Sequence, residues 1–164
     1  MARLPRAAGP IIWTVGVTLG HIVLPWSISL LATHHGWSPR GPGALNLFGL
    51  VPLAVGLGII VSALRLHFDS GKEGWEFKST PDYLLVRGPY RYTRNPMYVG
   101  AIAIWLGWAL FYGSVAVTVG LAILWSAAAF LLVPFEERQL QRRWGASYAN
   151  YKTRAPRWIG QPAR

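Results

Sequence analysis

At 164 residues the chain is the size of one domain. Apolar and aromatic residues make up 52% of it and charged residues only 13%, about half the roughly 25% of a soluble domain, so a water-soluble single domain is excluded and lipid is the expected solvent. The formal net charge of +10 makes nucleic acid a candidate partner, but the charges adjoin apolar runs long enough to cross a bilayer. An anionic lipid surface accounts for them more simply, and no nucleic-acid partner is expected. The absence of cysteine removes disulfides, thiolate metal sites and cysteine nucleophiles.

A membrane helix needs about 20 mostly apolar residues. The first such run is 10–31, preceded by Arg3 and Arg6 and interrupted by His21 and Pro25. It is longer than a signal-peptide core and lacks a small-x-small cleavage site, so it is expected to be a retained span. His34 and His35 follow it, and with His21 and His67 they show no metal-ligand spacing. A solvated outer loop is expected there, and no metal. The second run, 44–64, is uncharged. The third, 97–112, and fourth, 114–133, are separated by little more than Gly113 and are expected to form a tight antiparallel hairpin.

Four spans place the N-terminus, the 65–96 loop and the 134–164 tail on one side. That side holds fifteen of the sixteen Lys and Arg residues and all six acidic ones; only Arg40 lies opposite. The positive-inside rule makes it cytoplasmic. The nine Trp and seven Tyr suit membrane interfaces. In the tail, Leu140, Trp144, Tyr148 and Tyr151 recur at helical spacing beside Arg138, Arg142 and Arg143, predicting an amphipathic helix over 135–151 that Pro156 ends. The expected architecture is all-α: one polytopic membrane domain over 1–164, with four transmembrane helices and a cytoplasmic amphipathic C-terminal helix.

Three stretches carry candidate chemistry. The run RGPYRYTRNPMYVG, Arg87 to Gly100, crowds arginines and tyrosines between two turns, and Pro96 suits the first turn of the third span. It reads as a lipid-phosphate anchor or as part of a site. Glu136 and Glu137 stand where the fourth span ends, and carboxylates there must be solvated, paired or used. Salt bridges to Arg138 or Arg142, or a site for a cationic group, both fit. Gly56-Leu57-Gly58 fits close helix packing or a close ligand approach.

The block RGPYRYTRNPMYVG, an apolar hairpin, and then FEERQLQRRWGASYANYKTRAPRWI together resemble the isoprenylcysteine carboxyl methyltransferase and phospholipid methyltransferase superfamily, over roughly residues 80–159. The resemblance implies an integral membrane methyltransferase that uses S-adenosylmethionine. It implies a cofactor site built from Asp82, Tyr83, Leu84 and Leu85, from Tyr90, Pro96, Met97 and Tyr98, and from Glu136 and Glu137. Gly56 and Gly58 match the glycine pair of the phospholipid branch. Arg91 or Arg94 would hold the cofactor carboxylate, a glutamate would neutralise its cationic part, and Arg94, Asn95 and Glu136 are the expected catalytic residues. A lipophilic or small acceptor would enter from the bilayer. The prenylcysteine enzymes have His where Asn95 stands and a substrate-contacting Arg where Leu132 stands, which argues against a prenylcysteine carboxylate as acceptor. Two other readings remain: an NADPH-dependent membrane reductase resembling sterol reductases, and a non-enzymatic scaffold or transporter.

Overall fold

The computed structural model describes residues 8–70 and 84–161. The described chain is mostly helical, with seven α-helices: α1 (Ala8–Thr18), α2 (Leu24–Ser29), α3 (Ala44–Leu47), α4 (Leu50–Ser70), α5 (Pro96–Tyr112), α6 (Val115–Ala127) and α7 (Val133–Arg154). The segment 71–83, part of the expected 65–96 loop, lies outside the described residues. Two stretches, Ala44–His67 and Val115–Arg154, are long and apolar enough to cross a membrane; Thr14–Ser29 and Pro96–Tyr112 are apolar but shorter. Only 22% and 11% of the two apolar windows are buried within the chain. Core helices of a soluble protein would be mostly buried, and here Leu45, Phe130 and Ile123 stand 82%, 74% and 65% exposed. Such a surface suits lipid.

Prolines explain two departures from regular helix. A π-helical turn, Leu19–Val23, joins α1 to α2 just before Pro25, and another, Ala128–Leu132, joins α6 to α7 just before Pro134. Proline lacks an N–H, so the carbonyl four residues earlier loses its partner. For Pro25 that carbonyl belongs to His21, and it accepts a 2.7 Å hydrogen bond from Trp108 Nε1 instead. The break in α1–α2 thus becomes an anchor to α5.

The closest helix pair is α4 and α5, held by glycines. A Cβ added at Gly56 would come within 2.5 Å of the Gly100 carbonyl, and one at Gly49 within 2.5 Å of the Gly107 carbonyl. Rising numbers in α4 meet falling numbers in α5, so the two run antiparallel with backbones in contact. Gly56→Leu is expected to separate them and to cost about 1–3 kcal/mol by overpacking. Thermal unfolding in detergent measures this, and Gly58→Leu, where nothing lies within 4 Å, serves as the control.

Between α5 and α6 lie only Gly113, in the left-handed conformation, and Ser114, whose side chain accepts a hydrogen bond from the Val117 N–H. Trp105, Ala109, Tyr112 and Val117 form a buried core there, with Ile28 and Trp37 packed on it.

The 32–43 segment is largely exposed, as expected, although His34 and Trp37 are half-buried. It carries a two-residue antiparallel ladder, Trp37–Ser38 with Gly41–Pro42, which departs from a purely helical chain. His34 packs on Tyr112 in a tilted pair, 5.1 Å between ring centroids, and its Nε2 lies 3.1 Å from the Ser29 carbonyl. Buried Asn46 donates to the carbonyls of His35, Leu110 and Phe111, satisfying the end of α5. No metal-binding cluster occurs among the described residues.

The tail helix also differs from expectation. It bends sharply at Gly145, where φ is 47° and ψ is −118°. Twenty residues of straight helix would span about 30 Å, yet Arg157 Nη2 lies 2.7 Å from Glu137 Oε2. The second half of α7 therefore folds back along the first. The apolar periodicity runs through Gly145 unbroken, which is why it reads as one helix.

Candidate active site

The corner at Gly145 and the 84–98 segment gather most of the expected site residues. Arg94 stands at the centre. Its Nε and Nη2 donate to Glu137 Oε1 at 3.0 and 2.9 Å, and its Nη1 donates to the carbonyls of Lys152 and Ala155. From the other side Arg157 Nε and Nη2 donate to Glu137 Oε2 at 3.1 and 2.7 Å. One buried carboxylate is thus held between two guanidiniums, each giving two charge-assisted hydrogen bonds to one of its oxygens. Burial alone would raise the Glu137 carboxyl, but the bonds from Arg157 and Arg94 outweigh it and hold the group below the usual carboxylate range.

Asn95 completes the clasp. It precedes α5, where Asn commonly caps its own helix. Here its amide donates to the Arg157 carbonyl at 2.9 Å, and no side-chain cap forms. Thr93 Oγ1 donates to the same carbonyl, the Arg94 N–H donates to the Pro156 carbonyl, and the Gly160 N–H donates to the Tyr92 carbonyl. The 92–95 run fastens the returning tail by backbone and side chain together.

Glu136 faces elsewhere. Consecutive helical residues point about 100° apart, so the two glutamates do not share a ligand set. Glu136 Oε1 accepts a 2.7 Å hydrogen bond from the Tyr98 hydroxyl. Among the described residues no cationic side chain pairs with it. Its apolar surroundings push its carboxyl up from the usual range, and the Tyr98 hydrogen bond opposes this. Pro96 is buried at the start of α5, with Met97 half-buried beside it.

The remaining expected residues divide. Leu84 and Tyr90 pack against Tyr148, Tyr151 and Ala155, and the Tyr90 carbonyl accepts from the Tyr151 hydroxyl. Leu85 is half-buried nearby in sequence, while Asp82 and Tyr83 lie outside the described residues. Arg91 is exposed and does not join the clasp. Gly56 abuts Gly100, one turn into α5 from Pro96, and Gly58 faces open space.

Three polar groups on α7 were read from the sequence only as part of an amphipathic stripe or left unremarked. Gln141 Oε1 and Trp144 Nε1 are buried without a hydrogen-bond partner, and the buried Tyr148 hydroxyl has only Arg94 within reach. Gln141 and Trp144 follow Glu137 at helical spacing, and Tyr148 lies beyond the reversal at Gly145. Burial pushes the Tyr148 hydroxyl up to about 12, with the Glu137 charge adding to the effect. Buried polar atoms without partners are rare and mark places where a ligand or water completes the set. The usable sequence cue was the Gln and Trp placed at helical spacing behind Glu137.

Gly145 makes this geometry possible. Gly145→Ala meets no steric obstacle, since nothing lies within 4 Å of the added Cβ. The strain of its backbone conformation is expected to cost about 1–3 kcal/mol. Limited proteolysis of the 145–161 tail measures the opening.

A model of the phospholipid methyltransferase family matches residues 45–147, more than half of the chain. Neither a curated protein nor a solved structure matches it. The matched stretch holds the α4–α5 glycine seam, the Arg87–Gly100 block and both glutamates, and on that match the chain belongs to the phospholipid methyltransferase family.

Proposed function

We propose that the protein is an S-adenosylmethionine-dependent methyltransferase that acts on a lipophilic or small acceptor reached through the bilayer. In this reading 10–31, 44–64, 97–112 and 114–133 are four spans. The third and fourth make a hairpin, and the termini, the 65–96 loop and the tail face the cytoplasm. The family supports methyl transfer to a membrane-associated substrate, and the exposed apolar helices support membrane association.

One observation carries the cofactor assignment. Of the two adjacent carboxylates, Glu137 is saturated by internal cations, whereas Glu136 has a hydroxyl partner and, among the described residues, no cation. The cofactor supplies an electrophilic methyl on a sulfonium, together with an ammonium, a carboxylate and an adenine. Glu136 suits a cationic part of it, and Tyr98 orients the carboxylate. The buried Gln141 Oε1, Trp144 Nε1 and Tyr148 hydroxyl offer an acceptor and donors for its polar edges. Arg94 and Asn95, committed to the tail, act as positioning residues and not as groups that touch the reacting atoms. Leu84, Leu85, Tyr90, Pro96 and Met97, with Asp82 and Tyr83, are assigned to the cofactor site on the family resemblance. Methyl transfer needs the acceptor, methyl and sulfur in line, so positioning and the exclusion of water are the main contributions of this chain.

The test is saturable binding of labelled S-adenosylmethionine to the detergent-purified protein, followed by mass spectrometry of lipid extracts from membranes incubated with the label. No binding at millimolar cofactor overturns the assignment. No observation favours the reductase alternative.

A further inference from the structure

A second basic feature lies apart from the clasp. A cleft of about 260 Å³ opens between the Gly88–Arg91 turn and the returning half of α7. Arg91, Ser147, Asn150 and Arg154 line it, over a floor that includes Tyr151 and Ala155. The four polar residues are exposed, and the two floor residues are buried. The Tyr151 hydroxyl is committed to the Tyr90 carbonyl, which fixes the turn against the helix and sets the width of the cleft. The cleft is therefore built by packing and does not depend on the charged side chains themselves.

No carboxylate among the described residues lines this cleft. Among the described residues neither Arg91 nor Arg154 forms an ion pair, whereas Arg94 and Arg157 are both spent on Glu137. Two unpaired guanidiniums facing one concavity repel each other, and an anion between them removes that cost. The donor set goes beyond charge. Two planar forks, a hydroxyl and an amide offer more N–H and O–H groups than a single carboxylate accepts, and they match the three oxygens of a phosphate group. Glu136 and Tyr98 are not among the lining residues, so the feature is distinct from the proposed cofactor carboxylate and does not rest on that reading.

We propose that the Arg91–Arg154 cleft is a phosphate-binding site that takes a phosphate ester between the two guanidiniums, with Ser147 and Asn150 completing its donors. The phosphate belongs either to an anionic lipid headgroup or to a soluble compound, and the same experiment separates the two. Full-length protein in dodecyl maltoside is titrated with dioctanoyl phosphatidic acid and, separately, with inorganic phosphate, with binding read by native mass spectrometry and thermophoresis. Saturable binding of at least one probe is expected. The double variant Arg91→Gln, Arg154→Gln should weaken it by about tenfold or more. Ser147→Glu, which keeps both arginines but places a carboxylate among them, should do the same and gives the answer if the double variant fails to fold. Arg142→Gln removes one positive charge from α7 outside the cleft and should change binding by less than about twofold. Lipid that excess inorganic phosphate does not displace assigns the site to a headgroup, and displacement assigns it to soluble phosphate; both uphold the site. Equal losses in Arg142→Gln and the double variant overturn it, because the attraction is then general. So does the absence of saturable binding of either probe to the folded wild-type protein.

Discussion

Glu137→Leu is expected to be among the most damaging single substitutions in the 84–161 region of this protein. It leaves two guanidiniums facing each other, and Arg94 is only 10% exposed. Removing one partner of a buried ion pair typically costs about 3–5 kcal/mol. Arg157 is about half exposed, so water screens its share, and about 3 kcal/mol is the better expectation. That is a large part of the stability of a small domain. The measurement is the folded fraction after heating in detergent, read by fluorescence-detected size exclusion. The double variant Arg94→Met, Glu137→Leu should be less damaged than Glu137→Leu alone, because an apolar pair replaces the ionic one without leaving a buried charge. Equal damage in the two would show that the carboxylate acts alone. The same group sets an acid limit. Its folded value lies below its unfolded one, so its contribution is fully present above the ordinary glutamate range near about 4.3. It is lost as pH falls below that range through the folded value. Unfolding by acid should therefore begin below about pH 4, and Glu137→Gln should flatten that limb of the profile.

Glu136→Gln is expected to separate binding from folding. Its carboxylate holds only the Tyr98 hydroxyl, and an amide oxygen accepts the same bond, so thermal stability should change little. Binding of a cationic group should fall by about 10–100-fold, the loss of one charge-assisted contact of about 1.5–3 kcal/mol. Tyr98→Phe should cost less, about tenfold, because the charge remains and only its orientation is released. Cofactor titration and the rate of label transfer read both effects. Retention of wild-type cofactor affinity by Glu136→Gln would falsify the assignment of that carboxylate, while unchanged stability would show that the fold is not at fault.

The gross form was legible because it depends on sums over long windows. Apolar runs and the placement of arginines survive errors of a few residues, and Pro96 to Tyr112 came within one residue of the observed helix. The family match likewise rests on a spaced block that needs no coordinates. What escaped were features set by single residues. The stripe Leu140, Trp144, Tyr148 and Tyr151 keeps its period across Gly145, so the reversal left no trace in the pattern; only a glycine inside an amphipathic run hinted at it. Glu136 and Glu137 stand together in the sequence, whereas in the fold they take different partners, Tyr98 for the one and Arg94 with Arg157 for the other. Arg94 was expected to meet a cofactor carboxylate. The acidic partner that it found lies 43 residues away, beyond the reach of local spacing. Pro25 was visible as an interruption, but not the consequence that it frees the His21 carbonyl for Trp108.

The reversal at Gly145 also dictates which changes of length the tail tolerates. Arg157 must arrive at Glu137, and the carbonyls of Lys152 and Ala155 must arrive at Arg94. All three are delivered by the helix that leaves the corner. One residue inserted between Ser147 and Thr153 would turn everything beyond it by about 100° and advance it by about 1.5 Å. The clasp would then face away from its partners, however conservative the inserted residue. An insertion beyond Gly160, after the last contact with Tyr92, would shift none of them. The tail is thus a measured arm: substitutions along its outer surface leave its reach intact, and a change of count within it does not.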